Sequence, residues 1–190
     1  MDSTRTARTA RDALDRIEMQ VVIADAGPLI ALARIGQLQL LPLLFAHVAV
    51  TETVAAEVGQ GGGFPDTQAI AAALAQPWLQ TVHQSEQDLA KCRSWMDCYQ
   101  IDIGEASAMV LASSHQAQGN APLLLLDDAR GRYAAGHAKL PVLGTAGLLV
   151  LAKKAAYVPA VKPLLAALRQ SHYFLSDPLD AAVLAQAGEL

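Results

Sequence analysis

Leu123-Leu124-Leu125-Leu126 runs straight into Asp127-Asp128. As a strand, four consecutive leucines put apolar side chains on both faces, which suits only a strand covered on both sides. Pro122 and the polar turn Gln118-Gly119-Asn120 mark where it begins. Val21-Val22-Ile23-Ala24 has the same form and runs into Asp25, then Ala26-Gly27-Pro28. Gly27 permits a tight turn, and Pro28 suits the first turn of a helix. In open α/β sheets, function gathers beyond the carboxyl ends of the strands. Two buried strands therefore end in acid where a site would lie. If they are neighbours in a parallel sheet, Asp25 and Asp127 face each other closely, and such carboxylates repel unless a proton or a cation sits between them.

The rest of the chain supports one α/β domain with a mostly parallel sheet. Short apolar runs predict strands at 21–25, 47–50, 79–82, 123–126 and 141–143, with helical segments between them. Thr51, Ser85, Asp102 and Asp128 stand where helix N-caps are needed. His172 to Leu175 reads as a short extended piece, and Asp177-Pro178 starts a last helix. The chain has 190 residues, 53% of them hydrophobic, enough for a sizeable core. Residues 21–190 form the expected single domain. Residues 1–20 read as a separate arm, solvated or disordered, in which Arg5, Arg8, Arg11 and Arg16 oppose Asp12, Asp15 and Glu18. The glycine-rich loop 60–65 lacks the Gly-Lys-Ser/Thr of a phosphate-binding loop and is expected to be a hinge or solvent loop.

Bulk properties exclude several classes. No apolar run reaches membrane-span length: residues 144–152 are stopped by Lys153 and Lys154. The first twenty residues have no hydrophobic stretch of the secretory kind. Cys92 and Cys98 give no disulfide framework, so a cytoplasmic protein with reduced thiols is expected. The net charge of −4 gives no global attraction to nucleic acid, which argues against a plain nucleic-acid-binding module. It argues less against a metal-dependent nuclease, in which local basic groups and cations hold the substrate.

Acids recur at strand ends and helix starts: Asp25, Glu57, Glu105 and the pair Asp127/Asp128. Singly, each has a structural explanation as a cap, a helix-dipole partner or a solvated side chain. Together, without a cysteine or histidine partner, they suit a hard divalent cation rather than structural zinc. The matching chemistry is metal-assisted attack of water on a phosphodiester. Arg130 and Arg132 come directly after the acid pair and are candidate phosphate contacts. Being two apart on a helix, only one of them can face the acids.

Five segments carry a resemblance: Ile23 to Leu32, Val54 to Val58, Asp102 to Ala106, Leu125 to Arg132 and Pro141 to Thr145. In order and spacing they resemble the PIN-domain ribonucleases, especially the VapC-like toxins of toxin–antitoxin pairs, and the C-terminal helices resemble those of one PIN subgroup. The resemblance implies a three-layer α/β/α sandwich and an acidic pocket for Mg²⁺ or Mn²⁺ at the strand ends. Carried over by position, Asp25, Glu57, Glu105 and Asp127 are the catalytic acids. Asp25, Glu105, Asp127 and Asp128 are the metal ligands, and Arg130 and Thr145 contact substrate. The implied partners are RNA, a small antitoxin protein and a second copy of the chain, with the short helices at 28–45 as candidate dimer interface. Family members often carry Thr or Ser directly after the first Asp, where this chain has Ala26. Two rivals stand beside this reading: a catalytically weak PIN-like module acting through protein interaction, and a receiver-like phosphoacceptor module. The receiver wants its acid pair beside the first strand and an Asp ending the third, whereas here the pair comes after the fourth strand and the third ends in His83.

Overall fold

The computed structural model describes residues 21–60 and 65–190. The arm at 1–20 and most of the glycine-rich loop lie outside the described residues.

Among the described residues, five short strands form one all-parallel sheet: β1 Val21–Ala24, β2 Val48–Thr51, β3 Leu79–Val82, β4 Pro122–Leu125 and β5 Val142–Leu143. Their spatial order is β3-β2-β1-β4-β5. The chain leaves β1 toward β2 and β3, then returns to the other side of β1 for β4 and β5. The switch point, where ligands of open α/β sheets bind, is thus the gap between the carboxyl ends of β1 and β4. Val22 pairs with Leu123, Ile23 with Leu124 and Ala24 with Leu125. The Asp25 amide donates to the Leu125 carbonyl at 3.0 Å, so Asp25 and Asp127 emerge side by side at this gap.

Ten helices lie among the described residues, and alternation along the strands sorts them into two layers. Val22, Ala24, Val48, Val50 and Leu125 point into one core. That core is closed by α1 (Ala26–Arg34), α2 (Leu40–Leu44), α3 (Glu52–Gly59), α4 (Pro65–Leu74), α8 (Thr145–Lys154), α9 (Lys162–Gln170) and α10 (Asp177–Ala187). Ile23, Leu124 and Leu126 point the other way, into a core closed by α5 (Glu86–Tyr99), α6 (Ile103–Ala117) and α7 (Ala129–His137). This is the expected three-layer α/β/α sandwich, and it explains the unbroken leucine run. The helices at 28–45 bury Leu29, Leu32, Leu40, Leu41 and Leu44 in the first core and leave Leu43 exposed. No helix among the described residues is long and apolar enough to cross a membrane.

Two helices are fixed to each other beneath the site. Thr51 caps α3, its Oγ1 accepting from Val54 N at 3.2 Å. The same hydroxyl meets Ser107 Oγ of α6 at 2.7 Å, and Ser107 donates to the Gly104 carbonyl at 2.7 Å. A hydroxyl has one proton. Ser107 therefore accepts from Thr51, and this buried chain sets the register between the helix bearing Glu57 and the helix bearing Glu105. Buried Gly104, Ala106, Ser107, Ala108 and Ala112 let α6 lie close on the sheet.

Candidate active site

Asp25 is the N-cap of α1, 8% exposed, and its Oδ2 accepts from the Gly27 amide at 3.4 Å. With alanine at position 26, backbone rather than a hydroxyl orients this carboxylate. Burial, then the charges of Asp102 and Glu57, push its pKa from 3.8 to about 7, against the lowering pull of the Ala26 and Gly27 amides.

Gly104 shows how closely the acids are gathered. A Cβ built there would stand 2.6 Å from Glu57 Oε2, 3.3 Å from Asp102 Oδ1 and 3.4 Å from Asp25 Oδ1. Three carboxylate oxygens from three elements therefore share the space that glycine leaves open. Glu57 is exposed on α3, and burial and the Asp102 charge raise its pKa. Asp102 caps α6 in a reciprocal box: its Oδ1 accepts from Glu105 N at 2.8 Å, and Glu105 Oε2 accepts from Asp102 N at 3.2 Å.

Glu105 turns away from that space toward α7. Its Oε1 lies 2.8 Å from where a Cβ would stand on Gly131, and it is buried with no hydrogen-bond partner. Burial, then the charges of Asp102, Asp128 and Asp25, raise its pKa from 4.5 to about 7, against a lowering bond from the Asp102 backbone. A buried carboxylate oxygen without a donor is costly unless it carries a proton or meets a cation.

Asp127 is held differently. Thr145, fully buried at the start of α8, donates its amide to Oδ1 at 2.7 Å and its hydroxyl to Oδ2 at 2.6 Å. Tyr173, between α9 and α10, brings its phenol against the same carboxylate; burial first, then the Asp127 charge and hydrogen bond, hold that phenol well above its ordinary pKa. Arg132 Nη1 stands 2.8 Å and Asp127 Oδ1 3.0 Å from where a Cβ would be on Gly144, so the guanidinium lies beside this carboxylate. A Cβ on Gly27 would stand 3.7 Å from Asp25 Oδ2 and 3.9 Å from Asp127 Cβ, which makes Gly27 the divider between the two acids.

The structure thus brings Asp25, Glu57, Glu105 and Asp127 to the β1/β4 gap. Asp128 stands at the edge as the N-cap of α7, its Oδ1 accepting from Arg130 N at 2.7 Å and Gly131 N at 3.0 Å. Arg130 turns to the Gln100 carbonyl at 3.4 Å, while Arg132 lies with Asp127. Thr145 meets Asp127 itself. Of the two candidate arginines it is Arg132 that reaches the site, and Asp102 and Tyr173 join it beyond the residues expected as its acids and contacts. Asp102 had a signal, since it stands three before Glu105 with Gly104 between, but it reads equally well as a plain cap.

The donor set is entirely carboxylate oxygen, as hard divalent cations require. The space above Gly104, where three carboxylate oxygens converge, fits such a group. Among the described residues, however, no three His, Cys, Asp or Glu side chains are arranged as they stand to hold a metal ion.

A family model described as DUF3368, a PIN domain, matches residues 21–189. The chain belongs to this family. PIN domains are generally metal-dependent nucleases, and the match spans every element of the sheet and both helical layers. No curated protein and no solved structure matches the chain.

Proposed function

We propose that this PIN-domain protein is a Mg²⁺- or Mn²⁺-dependent endoribonuclease of the cytoplasm, the toxin of a toxin–antitoxin pair, working as a homodimer and held in check by a small antitoxin protein. The observation that carries the nuclease reading is the convergence of Asp25, Glu57 and Asp102 oxygens above Gly104, at the switch point of a parallel sheet. When bound, the cation supplies a stronger nucleophile from water and offsets charge at the leaving oxygen. Asp25, Glu57 and Asp102 would offer it oxygens. Asp127, held at both oxygens by Thr145, keeps one fixed orientation. Among the described residues, Arg132 is the cation best placed to hold a phosphate beside Asp127, in a chain whose net charge of −4 otherwise repels RNA.

The test is cleavage of a mixed RNA pool with Mg²⁺ or Mn²⁺, beside EDTA controls and the Asp25→Asn and Asp127→Asn variants. Cutting that needs both metal and the acids supports this reading. A folded protein that cuts nothing in either metal favours the second reading, a PIN fold retained as a protein-interaction module. Light scattering at micromolar concentration checks the homodimer: a monomer there removes it.

A further inference from the structure

Asp127 borders two spaces. One is the acidic crevice. The other is a cavity of about 550 Å³ between the β5–α8 turn and α10. This is within the range of about 300–1,000 Å³ typical of small-ligand pockets. Asp127, Arg132 and Tyr173 line it together with Leu179 and Gln186 of α10. Phe174 also lines it and is 89% exposed, the most solvent-exposed large apolar side chain among the described residues. The chain turns sharply just before, at His172, whose φ is +64°. Of the next two aromatics, Tyr173 reaches the Asp127 carboxylate and Phe174 stands in solvent at the cavity.

We propose that this cavity is a nucleobase subsite, taking the unpaired base of the nucleotide next to the scissile phosphate. The inference rests on the nuclease reading and deepens it. A phosphodiester held at the acids is tied to two nucleosides, and one of them leaves the crevice past Asp127. There it meets a guanidinium suited to phosphate, an exposed ring suited to stacking and, on α10, a carboxamide that both donates and accepts at a base edge. A paired base stays stacked in its helix, whereas an unpaired one splays out onto an aromatic side chain. The ring is the specificity element: its exposure has no role in either core, and it lines the same cavity as Arg132.

The test uses the full chain with Asp25→Asn, to prevent cutting, and short RNAs carrying 2-aminopurine, whose fluorescence is quenched by stacking. Phe174→Leu and Phe174→Ala are compared with Phe174→Tyr, and circular dichroism confirms that all are folded. Binding is expected to weaken on the order of tenfold, with loss of quenching, in the Leu and Ala variants. Tyr, which keeps a ring, retains both, and a fully paired duplex of the same sequence is not bound. In the parent with Asp25 intact, Phe174→Ala raises KM more than it lowers kcat and shifts the distribution of cut sites. Unchanged affinity, quenching and cut sites in Phe174→Ala, with metal-dependent cutting intact, overturn the subsite and leave the nuclease standing. Equal binding of single-stranded DNA overturns the assignment to RNA. If the unmodified chain neither binds nor cuts RNA, the nuclease reading falls and takes the subsite with it. Capture of an apolar peptide at Phe174 in place of RNA overturns the subsite in favour of a protein partner.

Discussion

The two flanks of the crevice treat their carboxylates in opposite ways. On the β2 side, Asp25, Glu57 and Asp102 crowd one space, and burial with mutual repulsion raises the pKa of Asp25 and Glu57. On the β5 side, Asp127 accepts from the amide and hydroxyl of Thr145, touches the Tyr173 phenol and lies beside Arg132. Both flanks end neighbouring strands of similar sequence, so the strands do not make the difference. The segments at their carboxyl ends do: β1 leads into the Asp25-Ala26-Gly27 turn, while Asp127 meets a helix start that brings its own donors. One flank is left wanting positive charge, and the other is already satisfied and serves as a fixed wall.

The largest effect should come from Asp25→Asn. Cleavage of RNA in Mg²⁺ or Mn²⁺ is expected to fall on the order of a hundredfold or more, the scale for a group that acts at the reacting centre. The cation-free protein should respond the other way. The pKa of Asp25 is raised from 3.8 to about 7 and that of Glu105 from 4.5 to about 7, so between about pH 4 and 7 the folded chain binds more protons than the unfolded one. Stability from these groups is then full below about pH 4 and declines as pH rises to 7. Thermal unfolding in EDTA across that window should show the decline, with a shallower slope in Asp25→Asn. At pH 8 the variant should melt above the parent, by about 2–4 °C for each kcal/mol of repulsion removed. A parent whose melting temperature rises through that window removes the idea of an uncompensated flank.

Gly104→Ala comes next and probes the shared space directly. The added methyl displaces Glu57 Oε2, the far end of an exposed side chain, so the fold should tolerate it. Cleavage should still fall about tenfold to a hundredfold, because the methyl fills the space on which the three oxygens converge. Asp102→Asn should rank below it, at about tenfold. Asparagine caps helices as well as aspartate does, so α6 should stay intact while the charge is lost, whereas Asp102→Ala should also cost about 1 kcal/mol of stability by urea denaturation. Asp102→Asn with unchanged cleavage would falsify its membership of the site and leave it a cap.

The sequence already carried most of the architecture, and specific residues show why. Val21 to Ala24 and Leu123 to Leu126 could be buried only in a covered parallel sheet, and Thr51, Ser85, Asp102 and Asp128 all cap the helices they precede. Strand order was not legible: the place of β1 beside both β2 and β4 depends on how two cores close, not on local pattern. The same limit applied to the site. Asp102 was visible only as a cap because its position over Gly104 depends on α3 packing against α6 through Thr51 and Ser107. Arg130 and Arg132 are equivalent in spacing, and only the angle of α7 sends one to Gln100 and the other to Asp127. Tyr173 is 46 residues beyond Asp127 in the chain, and no local motif joins them.

Thr145→Val gives the smallest expected change in activity and the sharpest test of the satisfied flank. Valine matches threonine in shape, so the fully buried site is refilled and only the hydroxyl bond to Asp127 Oδ2 is lost. The amide bond from residue 145 to Oδ1 at 2.7 Å does not depend on the side chain and remains. Asp127 should therefore keep its direction, and cleavage should fall by less than about tenfold, below the scale for losing a supporting hydrogen bond outright. The cost to stability should be larger, because a bond to a charged acceptor is worth about 1.5–3 kcal/mol. That loss is visible in the urea midpoint at neutral pH. If Thr145→Val instead costs more cleavage than Asp102→Asn while stability holds, the assignment is reversed. The β5 side would then be the reacting flank, and the crowded acids of the β2 side its support.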